Sequence, residues 1–188
     1  MKTRMSRKER QEQIVDTAMK LFVDHGYKGT TTAEIAEAAG ISEVTLFRNF
    51  ASKKDIFLQG TIPVLTKTLE ESLSSNEEET TAEALERFFY DRLSVISENY
   101  GILRLVLMEN QMNHDLSDID FINTIGKMIR KELSRMGLNQ DHADFTMRIM
   151  MGSILSFLYL PEKNQETVKK FVAALVRTVN IMNEKHGA

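Results

Sequence analysis

The sequence predicts an all-α protein of about nine helices, and three observations carry that prediction. Only two prolines and nine glycines interrupt 188 residues, which favours long helices over a strand-and-turn architecture. Apolar residues recur at helical rather than alternating spacing along the chain. Capping residues and glycines fall where the apolar stripes begin and end.

Taken in order, Ile14, Ala18, Leu21 and Phe22 form one buried stripe of a first helix from Arg7 to His25, with Gly26 as its stop. Thr31 and Glu34 are spaced as a capping box and open a short helix whose inner face is Ile35, Ala36 and Ala39, ended by Gly40. Ser42 caps a second short helix that turns Leu46 and Phe50 inward, and Ser52 opens a fourth helix carrying Ile56 and Phe57. That helix is expected to run toward Leu73 with a disturbance near Gly60 and Pro63, because Pro63 cannot donate to the carbonyl of Gln59. The polar stretch from Ser74 to Thr81 is the linker candidate. Thr80 and Glu83 form another capping box, ahead of Leu85, Phe88, Phe89, Leu93 and Ile96. Gly101 is expected to separate that helix from one over Ile102 to Asn113; Phe121, Ile122, Ile125, Ile129 and Leu133 mark the next, stopped at Gly137. A largely apolar helix covers Asp141 to Leu160, and a last one carries Val168, Phe171, Val172, Leu175, Val176, Val179 and Met182.

Composition narrows the function class. With 42% hydrophobic and 27% charged residues the chain is an ordinary globular one. The absence of cysteine excludes disulfides and thiolate chemistry and favours a reducing compartment. The basic amino terminus is followed by no apolar segment of a leader. The longest nearly apolar run, Ile149 to Leu160, is broken by Gly152, Ser153 and Ser156 and is too short to span a bilayer. A cytoplasmic protein with no membrane partner is expected. The net charge of -3 excludes a uniformly basic nucleic-acid binder, but not a local one. Residues 1–60 hold ten Lys/Arg and eight Asp/Glu, against fourteen and nineteen in residues 61–188. Lys2, Arg4, Arg7, Lys8 and Arg10 concentrate the positive charge at the front, either as a solvated tail or as an arm that adds phosphate affinity.

Two short helices joined by a tight turn at Gly40, lying against a longer first helix, are the arrangement that presents a second helix to the DNA major groove. Ile35, Ala36, Ala39, Ile41, Leu46 and Phe50 would hold it rigid, while Glu43, Val44, Phe47 and Arg48 share the opposite face. Catalysis finds no support. His25, His114, His142 and His186 form no His-Glu-x-x-His pair, Asp115, Asp118 and Asp120 lack the rest of a calcium loop, and no nucleophile elbow or dinucleotide fingerprint occurs. Neither cofactor nor metal is expected.

At three stretches the chain resembles the TetR family of transcriptional regulators: Gly26-Tyr27-Lys28-Gly29-Thr30-Thr31, Ile35-Ala36-Glu37-Ala38-Ala39-Gly40-Ile41-Ser42 and Thr45-Leu46-Phe47-Arg48-Asn49-Phe50-Ala51-Ser52-Lys53. The resemblance implies a dimeric repressor that binds a palindromic, double-stranded DNA operator and leaves it when a small molecule enters the carboxy-terminal domain. Domains of 1–58, for DNA binding, and 59–188, for effector binding and dimerisation, follow. Carried over by position, Glu43, Val44 and Phe47 approach bases, and Thr31, Thr45, Asn49 and Lys53 hold phosphates. Arg48 either joins the phosphate contacts or points to solvent. The family's paired tyrosines are replaced here by Phe47 and Asn49. Phe47 keeps an apolar face suited to a thymine methyl, and Asn49 keeps amide donors.

Bland readings stand beside these. Glu43 can oppose the helix dipole, Lys53 can be a solvated lysine, and Thr31 is a cap before it is anything else.

The last two helices, 141–160 and 165–184, are expected to form a two-fold four-helix homodimer interface, because a helix apolar all round must be covered all round; an intramolecular core is the competing reading. Seven of eleven methionines lie between Met108 and Met151, consistent with a pliable apolar effector site or with core filling. Candidate wall residues are Phe89, Leu93, Met108, Met112, Phe121, Ile125, Met151 and Leu155, with Arg104 as anchor for an anionic effector. The alternative function is a helical small-molecule sequestering protein with a vestigial DNA-binding motif, and a third is a regulator recruited through protein contacts.

Overall fold

The computed structural model describes residues 5–71, 80–112, 121–162 and 164–185. All regular structure among them is helical: α1 (Arg7–Gly29), α2 (Thr32–Ala38), α3 (Glu43–Asn49), α4 (Lys53–Glu71), α5 (Thr81–Glu98), α6 (Tyr100–Met112), α7 (Phe121–Arg135), α8 (Gln140–Tyr159) and α9 (Gln165–Lys185). The chain divides into two compact units, one of Met1–Val64 with Gly101–Ile119, the other of Leu65–Tyr100 with Asp120–Ala188. From Gly101 onward α6 lies in the first unit.

In the first unit, Ser6 and Glu9 close a capping box at the start of α1, and Ile14, Ala18 and Phe22 are buried along one face. Gly26 does not end the helix as expected. It kinks it, with φ 78 and ψ 164, and one further turn runs to Gly29. A side chain at a positive φ is disfavoured, which explains the glycine. The extra turn forms because Tyr27 has somewhere to go: its ring packs against Phe22 and Phe57 at centroid distances of 5.5 and 5.1 Å, and its N–H donates to the Glu109 carboxylate of α6 at 3.0 Å. Gly101 likewise is not a helix break. The break lies at Asn99, and Gly101 sits inside α6, where an added Cβ would come within 3.0 Å of Val23.

α4 opens with the Asp55 N–H donating to the Ser52 hydroxyl, buries Ile56 and Phe57 and continues through Pro63. At Gly60 a Cβ would lie 2.4 Å from Met19 Sδ; glycine there permits the close approach of α4 to α1. The linker candidate falls outside the described residues apart from Thr80 and Thr81, which belong to the cap and first turn of α5.

In the second unit α5 packs against both α8 and α9, and α7 packs against α8. Leu85, Phe88, Phe89, Leu93 and Ile96 supply the buried face of α5. Part of the apolar seam of α9 lies inside the subunit: Val168, Val172, Val176 and Val179 are buried, each contributing roughly 1.5–3 kcal/mol by leaving water, while Phe171 and Leu175 are half-buried. Tyr90 donates to Gln165, and the Ser97 hydroxyl to the carbonyl of Glu162. Among the described residues of this unit the exposed large apolar side chains are Leu155, Tyr159 and Leu160, on α8 and just beyond it. Among the described residues no helix is long and apolar enough to cross a membrane.

Candidate nucleic-acid interface

α2 and α3 have seven residues each, too short to be stable alone. Their rigidity comes from burial and capping. Ile35, Ala36, Ala39, Leu46 and Phe50 are buried, Gly40 makes the turn with φ 65, and the Ser42 hydroxyl caps α3 by accepting from the Thr45 N–H at 3.2 Å. Two glutamines of α1 secure the far ends. Gln13 donates to the carbonyl of Ala39 and Gln11 to that of Asn49, both at 3.2 Å, satisfying carbonyls that a helix end leaves without intrahelical partners. Sequence reasoning missed both glutamines.

The outer face of α3 carries the residues expected at bases. Glu43, Val44, Phe47 and Arg48 are all exposed, Val44 by 63% and Phe47 by 50%. Val44 and Phe47, three residues apart, lie side by side on this face. The Glu43 carboxylate is not loose: Thr32, at the first position of α2, donates its hydroxyl proton to Oε1 at 2.6 Å.

The residues expected at phosphates are placed as follows. The Thr31 hydroxyl accepts from the Glu34 N–H and donates to its carboxylate at 2.8 Å. The bonds from the Thr31 backbone and then its hydroxyl hold the Glu34 carboxyl below its ordinary pKa, with small contributions from His25 and Lys53. Thr45 is half-buried and shares a hydrogen bond with Ser42, and Asn49 donates an amide proton to the carbonyl of Thr45. Lys53 is half-buried; its Nζ donates to the carbonyls of Tyr27 and Thr30, both at 2.8 Å, and lies 4.3 Å from the centroid of the Tyr27 ring. The ammonium thus ties the start of α4 to the α1–α2 connection. Arg7 and Lys8 are exposed at the start of α1, while Lys2 and Arg4 lie outside the described residues.

The effector candidates are distributed over both units. Phe89 and Leu93 are buried in α5, Ile125 and Met151 are half-buried, and Leu155 is exposed. Arg104 and Met108 are exposed on α6, in the first unit; the side chains of Met112 and Phe121 lie outside the described residues. The second unit does contain an interior cation that sequence reasoning overlooked: Arg92 is 6% exposed, its guanidinium 5.2 Å from the Phe88 ring centroid. Its i+4 relation to Phe88 was the available signal.

A capped, buried helix pair presenting an exposed mixed face, with α1 behind it, defines a helix-turn-helix DNA-binding regulator. The comparisons with known proteins agree. Residues 14–59 match the family described as "Bacterial regulatory proteins, tetR family". The chain is 29% identical over 168 residues to the HTH-type transcriptional regulator YvkB of Bacillus subtilis, covering 81% of this chain and 85% of that one. It is 26% identical over 150 residues to IcaR of Staphylococcus aureus, the negative transcriptional regulator of the biofilm operon icaADBC, covering 78% and 79%. A transcriptional regulator from Aquifex aeolicus has the same fold, with a TM-score of 0.72 at 21% identity over 90% of this chain and 99% of the other. A TetR-family regulator from Mesorhizobium loti gives 0.73 at 16% identity, covering 95% and 98%. Residues 14–59 are thus similar to the tetR family of bacterial regulatory proteins, and the chain shares the fold of these solved regulators.

Proposed function

We propose that this regulator is a repressor that binds a palindromic operator as a homodimer and releases it when a small apolar effector occupies the carboxy-terminal unit. The observation that carries the DNA-binding part is the outer face of α3, where Glu43, Val44, Phe47 and Arg48 stand together in solvent on a helix fixed from behind. Glu43, Val44 and Phe47 are assigned to bases; Thr31, Thr45, Arg48, Asn49 and Lys53 are assigned to phosphates. A sequestering protein with a vestigial motif would have no use for exposed Val44 and Phe47.

The dimer face is assigned to α8 and α9. Because Val168, Val172, Val176 and Val179 are committed within the subunit, the contact uses the other side of α9 and the exposed Leu155, Tyr159 and Leu160, with Gly152 allowing close approach. The effector assignment rests on Phe89, Leu93, Ile125 and Met151 with their neighbours, and repression on the likeness to IcaR, itself a negative regulator.

Selection of bound fragments from genomic DNA tests the proposal. The expected result is an enriched palindrome with half-sites about 34 Å or a multiple apart, bound with a log-log salt slope of about -4 or steeper. No enriched sequence refutes operator recognition. Equal operator affinity with and without every effector tested on the regulator refutes release.

A further inference from the structure

Of the helical threonines with a described bond, Thr45 shares its hydroxyl with the cap Ser42, and all but two of the others spend theirs on their own helix. Thr17 donates to the carbonyl of Gln13, Thr61 to that of Phe57 and Thr178 to that of Ala174. Thr81 bonds the carbonyl of Met136 in the turn after α7. Thr32 is the other exception, and its partner is a charged side chain on the DNA-facing helix. Its Oγ1 bridges eleven residues of sequence to Glu43 Oε1 at 2.6 Å, the short distance of a charge-assisted bond.

An ionised carboxylate only accepts hydrogen bonds. In the major groove it is attracted to an exocyclic amino group and repelled by guanine O6 and N7 and by thymine O4; the amino group it pairs with by geometry is cytosine N4. A freely rotating glutamate would lose three torsions on binding and would swing away from the phosphates. The Thr32 hydroxyl donated to Oε1 eases both difficulties, because the side chain is ordered before DNA arrives and a charge-assisted bond holds it in place against the phosphates. Glu43 Oε2 accepts no hydrogen bond from the protein among the described residues.

Building on the reading of α3 as the DNA-reading helix, we propose that Thr32 is a positioning residue for base recognition: its hydroxyl fixes Glu43 so that the carboxylate reads a cytosine N4 amino group, one in each half-site.

The test is a base-resolved binding profile of the purified dimer on randomised operators, for the wild type, Glu43→Ala, Glu43→Gln, Thr32→Val and Thr32→Ser. The wild type is expected to prefer cytosine about tenfold at one position per half-site. Glu43→Ala flattens that position, and Glu43→Gln turns it toward adenine. Thr32→Val reduces the preference to about threefold at that position while the others hold, and Thr32→Ser restores it. Circular dichroism of Thr32→Val checks the fold, and Thr32→Ala repeats the experiment with a smaller side chain. A purely structural role for Thr32 would weaken all positions together and overturns the proposal. So does an unaltered cytosine column in Thr32→Val when Glu43→Ala has erased it, or an enriched operator lacking any Glu43-dependent cytosine. A wild type that enriches no sequence overturns instead the DNA-reading assignment of α3, and this inference with it.

Discussion

Replacing Lys53 by methionine keeps the aliphatic stem and removes the ammonium. Two bonds of 2.8 Å to the carbonyls of Tyr27 and Thr30 disappear, and Thr30 is fully buried, so water cannot replace both. Hydrogen bonds involving a charged group are worth about 1.5–3 kcal/mol each when buried. For a half-buried lysine about 2 kcal/mol for the pair is the appropriate figure, and loss of the contact with the Tyr27 ring adds about 0.5 kcal/mol. The expected destabilisation of about 2.5 kcal/mol corresponds to a fall in Tm of about 5–10 °C for a chain of this size. Urea unfolding followed by circular dichroism at 222 nm measures it, with a lowered midpoint and an unchanged slope as the signature. A midpoint coincident with the wild type would refute the argument that this ammonium is structural. The same variant separates its two assigned roles. If Lys53 also meets a phosphate, the log-log salt slope of operator binding becomes shallower by about 1 per subunit; a slope that does not move leaves Lys53 as a fold element alone.

Two further predictions concern stability. Gly60→Ala is expected to cost about 1–3 kcal/mol by overpacking against Met19, where the new Cβ would start 2.4 Å from Sδ; the penalty should shrink in a Met19→Ala background, and strict additivity in that double-mutant cycle would contradict the contact. The capping-box carboxyls of Glu9, Glu34 and Glu83 are held below their ordinary value of 4.5, Glu9 and Glu34 chiefly by bonds from the Ser6 and Thr31 backbones and Glu83 chiefly by the Thr80 hydroxyl. A depressed folded pKa gives stability that is complete above 4.5 and is lost as pH falls through the folded values. Thermal unfolding should therefore weaken below pH 4.5 in the wild type, and less so in Glu34→Gln; parallel pH curves for the two would count against that share.

Much of the architecture was legible because helix caps are local. Thr31 with Glu34, Ser42 with Thr45, and Thr80 with Glu83 announce helix starts within four residues, and the inward positions Leu46, Phe50, Phe88 and Phe89 follow from periodicity. Glycines were harder to read, because the same residue serves as a stop and as a gap. Gly40 ends a helix, Gly26 only kinks one, and Gly101 makes room for Val23. At the candidate site, the exposed group Glu43, Val44, Phe47 and Arg48 was visible from i, i+1, i+4, i+5 spacing. Its supports were not: Gln11, Gln13, Thr32 and the carbonyls under Lys53 lie 11 to 38 residues from their partners in sequence. The α9 seam was read as apolar, but periodicity cannot say whether a stripe faces its own subunit or another, and in the structure its four valines face inward.

Gln11 and Gln13 change how loss-of-function variants should be interpreted. A helix of seven residues borrows its stiffness, and here the lender is α1, through side chains that bond the carbonyls at the ends of α2 and α3. An excised peptide spanning 42–50 should be a coil that recognises nothing. Conversely, a substitution at either glutamine would score as an operator-binding defect in a genetic screen although it sits behind the reading surface, so a map of sensitive positions drawn on this protein would extend well past its footprint on the duplex.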